Sequence, residues 1–367
     1  MGFSSLRCYQ FRNLSDAVHQ FSGREIFLIG ENGQGKSNCL EALYLLCYGS
    51  SFRAHADADM IRNGHSEASV MGHYRSTEGN TQEISVIMKR KESKEIRVNG
   101  KKILERKDIL LSIPCVVFSH DDLEFIIGSP AKKRRFLNQT LCLYNLRYLD
   151  LLKNYKRILH QRNSLLKQKR PDLLDIYNEQ LSIFGFEIQE KRKELVFLFN
   201  KIVQHYFRRI SGLSGTMEIV YHPSWQDCRS PASCREHLEK REGRDRVFRT
   251  TTSGPHRDQF FYYYNGADFS RIASTGQVRL LSIILRVAQA SFFMEHTGRK
   301  PVLLLDDVLL ELDSGKRELF IKSLPEYEQA FFTFLPDEDY IHYEKNLTVK
   351  YLVSGGGIQS WNERGKS

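Results

Sequence analysis

The stretch FLIGENGQGKSNCLEALYLL holds residues that could do chemistry at a defined spacing. Gly30, Gly35, Lys36 and Ser37 satisfy G-x-x-x-x-G-K-[ST] between an apolar run and a helical pattern. Glycines let a backbone close around phosphate oxygens with several N–H groups pointing inward. A helix opening at Lys36 adds the positive end of its dipole. Gly30, Glu31, Asn32, Gly33, Gln34, Gly35, Lys36 and Ser37 are therefore read as a nucleotide phosphate loop. Lys36 would neutralise the β- and γ-phosphates, and the Ser37 hydroxyl would ligate Mg²⁺. VLLLDD is an apolar strand ending in Asp306 and Asp307. Carboxylates at the C-terminal end of a parallel strand lie near such a loop. Asp306 suits Mg²⁺, directly or through water, and Asp307 the polarisation of an attacking water. Alone, a glycine turn or a pair of strand-capping acids is ordinary; together they make ATP and Mg²⁺ the expected ligands.

Ser274 to Arg279, STGQVR, precede that strand, and Glu311 to Asp313 follow it. Alone, S-x-G-Q is a turn with a helix cap. The order of phosphate loop, long insertion, S-x-G-Q with helix, LLLDD and ELD is similar to that of ABC-type ATPases. In that class the S-x-G-Q loop contacts the γ-phosphate held by the opposite subunit. The resemblance implies a trans contact through Ser274, Gly276 and Gln277, and hence an ATP-dependent homodimer.

The elements that must position these residues read as an α/β head with an inserted, mainly helical lobe. REIFLIG, EISVIMKR, KEIRVNGKKI and PCVVF read as strands, with Asn99-Gly100 a hairpin turn. From about residue 129 to 209 Leu, Tyr and Ile recur at spacings of three and four, interrupted at Pro171 and with Gly185 as a further breaker. This predicts an antiparallel helical hairpin, whose ~35-residue helices would be ~50 Å long. SGLSGTMEIVYHP reads as a return to strand and GPHRDQFFYYYNG as a strand followed by a turn, residues 224–250 as helix and loop, STGQVRLLSIILRVAQASFF as a turn leading into a helix, QAFFTF as a late strand and GGGIQSWNERGKS as a weakly ordered tail. The expected division is 1–128 and 251–367 for the two parts of the head and 129–250 for the lobe.

The 367 residues carry a net charge of +10, with 41% apolar and 27% charged residues, which argues against global disorder. A basic chain suits a polyanion, nucleic acid or an acidic membrane surface. The charge is local: residues 132–170 hold twelve Lys or Arg against Asp150 alone, a net +11. A solvated helix face normally mixes Glu with Lys. A one-signed segment instead suits phosphate contacts along DNA, which position a protein without reading bases. Lys132, Lys133, Arg134, Arg135, Lys153, Lys156, Arg157 and Arg162 are the candidate DNA contacts. No helix-turn-helix, zinc-finger or RNA-binding aromatic motif occurs, so readout is expected to be independent of sequence. Seven cysteines without a C-x-x-C pair favour a reducing compartment. No 18-residue apolar run, signal core or myristoylation pattern is found, so no membrane partner and a cytoplasmic location are expected. Of twelve histidines only His256 stands in a motif, and none has metal-ligand spacing.

FRNL, GENGQGKSNCLEALYLL, SFR (Ser51–Arg53), GSPAKKRRFLN, GPHRD (Gly254–Asp258), STGQVR and LLLDDVLLELD, in that order, resemble the bacterial RecF family over residues 3 to 355. The resemblance implies an ABC-type ATPase of the SMC and Rad50 group with a short helical lobe. It also implies ATP-driven dimerisation, DNA binding at gaps or junctions, and action with RecR- and RecO-like proteins in recombinase loading, recombinational repair, replication maintenance and the SOS response. By position, Lys36 and Ser37 match the Walker A residues, Asp306 and Asp307 Walker B, and Asp313 the D-loop acid near the dimer interface. Thr275, Val278, His120 and Leu310 depart from the usual pattern, and no Q-loop glutamine can be placed after CVVF. A GTPase would carry [NT]-K-x-D, a kinase gives no reason for STGQ, and a transporter ATPase has no basic helical arm of this length.

Overall fold

The computed structural model describes residues 2–76, 79–104, 109, 112–168, 173–338 and 340–361. The chain divides into two compact units, Met1–Asp122 with Gln289–Ser367, and Leu123–Ala288.

The first unit is built on a sheet of β3 (Glu25–Ile29), β8 (Cys115–Phe118), β12 (Val302–Leu305), β13 (Gln329–Phe334), β14 (Thr348–Ser354) and β15 (Gly357–Ser360). Its order is β15-β14-β3-β13-β12-β8, parallel except for the β14–β15 hairpin. Every residue of β3, β8, β12 and β13 is buried. Strands covered on both faces are rich in apolar residues, which is why these four read clearly in the sequence. A second sheet is antiparallel: β1 (Gly2–Tyr9), β2 (Val18–Gln20), β4 (Glu67–Arg75), β5 (Thr81–Lys89), β6 (Glu95–Val98) and β7 (Lys101–Lys102), in the order β2-β1-β4-β5-β6-β7. Asn99 and Gly100 both have positive φ, 50° and 75°, as the turn between β6 and β7 requires. Helix α1 (Lys36–Tyr48) touches β4 and β5 of one sheet and β8, β12 and β13 of the other. Being covered on both sides, it is apolar nearly all round. Register puts Leu305 opposite Phe118 and Phe332, and Ile29 opposite Phe334. The glycine loop and the two acids thus leave the same C-terminal edge of the sheet, where ligands of such sheets collect.

The second unit contains α2 (Pro130–Tyr144), α3 (Leu146–Gln168), α4 (Leu174–Ser211), α5 (Pro231–Lys240), α6 (Glu242–Phe248) and a sheet of β9 (Met217–His222), β10 (Gln259–Tyr264) and β11 (Ala267–Asp268). α7 (Phe269–Ile272) follows, and α8 (Thr275–Thr297) opens in this unit. Arg162 meets Asn178, Tyr155 approaches Gly185 and Arg147 meets Glu187, so α3 and α4 run antiparallel. Gly185 does not break its helix. A Cβ there would lie 2.5 Å from the Trp225 ring, so the glycine serves close packing. The break at Lys169 to Asp172 lies outside the described residues.

Two expectations are corrected. The lobe extends to Ala288 rather than to residue 250. The reason is that β9 pairs with β10 and that Arg192 of α4 is bonded to Asp258, which tie residues 251–288 to the lobe. The segment GGGIQS is ordered as the β14–β15 hairpin, its glycines supplying the positive-φ turn at Gly355 and Gly356, 56° and 82°; residues 362–367 lie outside the described set. By length and composition α8 could cross a bilayer, but 83% of its apolar window is buried inside the protein, as in a core helix, and this does not overturn the expectation about membranes.

Candidate nucleotide site

The loop after β3 turns into α1 through Gly35, whose φ of 115° is a conformation that side-chain-bearing residues avoid. Lys36, only 4% exposed, folds back so that its Nζ donates to the carbonyl oxygens of Gly30 (2.5 Å) and Glu31 (3.1 Å). The ammonium therefore lies inside the curl of the loop. The carbonyl of Gly33 accepts from Asn13 Nδ2 at 2.6 Å, and Gly355 N–H donates to Gln34 Oε1 at 2.7 Å. Neighbouring segments thus hold the loop open from both sides.

Ser37 Oγ donates to Asp306 Oδ1 at 2.7 Å. Burial pushes the Asp306 carboxyl up to about 6; the Ser37 hydrogen bond opposes this and the charge of Asp307 adds to it. Asp307 takes a left-handed backbone, φ 53°. Its N–H donates to Thr333 Oγ1 at 2.7 Å, and that hydroxyl donates to Asp307 Oδ1 at 2.8 Å. Thr333, from β13, fixes both ends of the residue. It was not legible in QAFFTF, where one threonine in an apolar strand reads as filler.

The donor set suits Mg²⁺. One hydroxyl and one carboxylate converge, as befits an ion that takes its other ligands from phosphates and water. Among the described residues no group of three or more His, Cys, Asp or Glu could hold a metal by itself. Beside the loop, Arg12, Asn13, Asn38, Arg53 and Arg62 line a cavity of 770 Å³. Glu41, fully buried, organises it, accepting from Arg12 (2.9 and 3.0 Å), Arg53 (2.9 Å) and Ser51 (2.5 Å). Burial pushes its carboxyl up, but the bonds from Arg12, Arg53 and Ser51 outweigh that and hold it below the usual range. FRNL and SFR contain these arginines, but nothing in the sequence pairs them with Glu41.

In the second unit Ser274, Thr275, Gly276 and Gln277 are all exposed at the start of α8. Ser274 N–H donates to Gln277 Oε1 at 2.8 Å, and Gln277 N–H to Ser274 Oγ at 3.3 Å. This reciprocal capping box leaves open space over Gly276, where a Cβ would meet nothing within 4 Å. In the first unit Asp313 caps α9 (Ser314–Ser323), accepting from Lys316 N at 2.9 Å and pairing with Lys316 Nζ.

The expected DNA contacts separate by burial. Lys132, Arg135, Lys153, Lys156 and Arg157 are exposed. Lys133 is half-buried, over the rings of Phe261 and Tyr262, and Arg134 donates to the Asp258 carbonyl at 2.7 Å. Arg162 is fully buried and donates to Asn178, Asp245 and Thr251, so it is a structural residue and not a DNA contact. Lys169 and Arg170 lie outside the described residues. His256 is also structural. Its Nε2–H faces the Thr251 carbonyl (3.0 Å), so Nδ1 accepts from Tyr155 (2.8 Å).

Residues 3–354 match the RecF/RecN/SMC N terminal domain family. The chain is 42% identical to the DNA replication and repair protein RecF of Treponema pallidum, over 94% of this chain and 97% of that one. It is 31% identical to the same-named protein of Leptospira interrogans serovar Lai, over 98% and 100%. A structure described as the recombination mediator protein RecF-ATP in the RecFOR pathway superposes with a TM-score of 0.90 at 30% identity, covering 98% of each chain. An Smc head domain from Pyrococcus furiosus, 16% identical over 98% of this chain and 96% of that one, shares the fold with a TM-score of 0.56.

Proposed function

Because this chain belongs to the RecF family, with the fold of an ABC-type ATPase head, we propose that it is an ATP-controlled DNA clamp in recombinational repair and replication maintenance. The observation that carries the nucleotide half is the 2.7 Å bond from Ser37 to Asp306, which joins the phosphate loop to the acidic strand end. Lys36 exchanges its two loop carbonyls for the β- and γ-phosphate oxygens. Ser37 and Asp306 would hold Mg²⁺, which would supply charge neutralisation at the triphosphate. Asp307, held by Thr333, accepts a hydrogen bond from the attacking water and orients it in line with the γ-phosphorus. Arg12, Arg53 and the two asparagines line the space beside the loop, suited to the nucleoside.

The S-x-G-Q start of α8 is exposed and so open to the phosphate of a nucleotide held by a second copy. Two heads then enclose two ATP molecules, and hydrolysis separates them. Turnover is slow and DNA-modulated, as suits a timer. The exposed cations of α2 and α3 contact gapped or junction DNA without reading bases. The closed form works with RecR- and RecO-like proteins to load recombinase, and so supports the SOS response. Anisotropy on gapped duplex tests the coupling: Mg·ATP should tighten binding over Mg·ADP with a steep salt slope, and binding indifferent to nucleotide would refute the clamp.

A further inference from the structure

The last turns of α4 carry a basic face outside the segment that dominates the charge of the sequence. Lys201, Gln204, His205, Arg208 and Arg209 line a cavity of 540 Å³. Phe197, 65% exposed, adjoins it, with Lys201 Nζ 4.8 Å from the ring centroid. Positions 197, 201, 205 and 208 share one helix face. No acid occurs between Leu195 and Ser211. Cations favour a helix C-terminus, which accounts for Arg208 and Arg209. That effect fades within a turn and does not reach Lys201. The face is also stiffly mounted. Asn200 bonds the N–H and carbonyl of Ile219, and Gln204 bonds Met217 N–H and the Gly215 carbonyl, so two amides one turn apart fasten α4 to the edge of β9.

We infer that this face is a seat for the sugar–phosphate backbone of DNA, an assignment that rests on the DNA-binding reading above. Lys201 to Arg208 span about 10 Å at 1.5 Å per residue. One strand of a duplex presents a phosphate per about 3.4 Å of axis, so roughly three phosphates pass beside that span. Exposed cations on a firmly mounted helix, with the Phe197 ring at one end, suit a polyanion held without base readout.

The test is the double variant Lys201→Gln/Arg208→Gln, in salt titrations of gapped-duplex binding with Mg·ATP. Each phosphate contact removed lowers the slope of log K against log salt by about 0.9, so the slope should fall by about 2 and affinity near 0.1 M salt by roughly ten-fold or more. ATP turnover without DNA and the melting temperature should match wild type, since both residues are exposed and outside the nucleotide site. An unchanged slope and affinity in the variant would overturn the seat, as would a loss confined to binding of an acidic protein partner. If wild type itself ignores nucleotide when it binds DNA, the clamp fails; if wild type responds and the variant binds equally well, only the seat fails.

Discussion

Asp307 is a non-glycine residue at φ 53°, a conformation that costs about 1 kcal/mol or more and persists where the surroundings enforce it. Here Thr333 enforces it, binding the N–H and the carboxylate of the same residue. Asp307→Asn should therefore still bind ATP, hydrolyse it at least about 100-fold more slowly, and accumulate as dimer. Turnover at the wild-type rate would remove Asp307 from the mechanism. Thr333→Val keeps shape and removes both bonds. It should lower kcat about ten-fold with KM nearly unchanged, and Thr333→Ser should restore most of the rate. A fall in ATP affinity instead would mean that Thr333 supports the pocket rather than the acid. At this scale the sequence was legible where a motif fixes spacing, as in Lys36, Ser37 and Asp306. It was silent on Thr333 and Glu41, whose roles arise only when separate strands and helices bring them to their partners.

The lobe is organised by buried charge. Arg162 and Asp245 pair at 2.7 Å with both side chains fully buried, and Arg192 and Asp258 at 2.6 Å with almost none exposed. Removing one partner leaves the other buried and uncompensated, so Arg162→Ala should destabilise the lobe by about 3–5 kcal/mol. Calorimetry would detect this as an early transition while ATP binding by the head persists. His256 adds a pH dependence. Burial lowers its pKa to about 4; the Thr251 carbonyl opposes this, and Arg257 and Arg134 reinforce it. The unfolded chain protonates first, near pH 6.5, so the contribution of His256 is complete above that value and declines as pH falls toward 4. Over that window it amounts to about 3 kcal/mol, and His256→Gln should flatten the matching part of the Tm–pH curve. An identical curve would exclude His256 as the titrating group. Charge in the basic segment was visible in the sequence, but burial was not. Tertiary partners turned Arg134 and Arg162 inward, whereas Lys153 and Lys156 stayed on the solvent side of an amphipathic helix. The four parallel strands buried on both faces were legible from their apolar runs; parallel β14, part-exposed and carrying Lys350, was not. The one-faced β4, with a histidine and a glycine among its residues, and the short β2 gave no such signal.

At the scale of the whole molecule the expectation is shared catalysis. Lys36→Ala disables the phosphate loop and Ser274→Arg fills the space over Gly276. Each variant alone should be inactive, while an equal mixture should recover about a quarter of wild-type turnover, because half the dimers then contain one intact composite site. A mixture that stays inactive would place the signature contact within one chain. Ser274 and Gln277 already satisfy one another's N–H groups in the single molecule. In the proposed dimer, a second copy bringing a nucleotide would have to exchange existing bonds rather than add new ones, and each exchange would gain little. Separate copies would then have small reason to meet in the wrong nucleotide state and small difficulty in parting afterwards. Fidelity in time, meaning pairing only while the triphosphate lasts, would follow from a joint that is content to be alone.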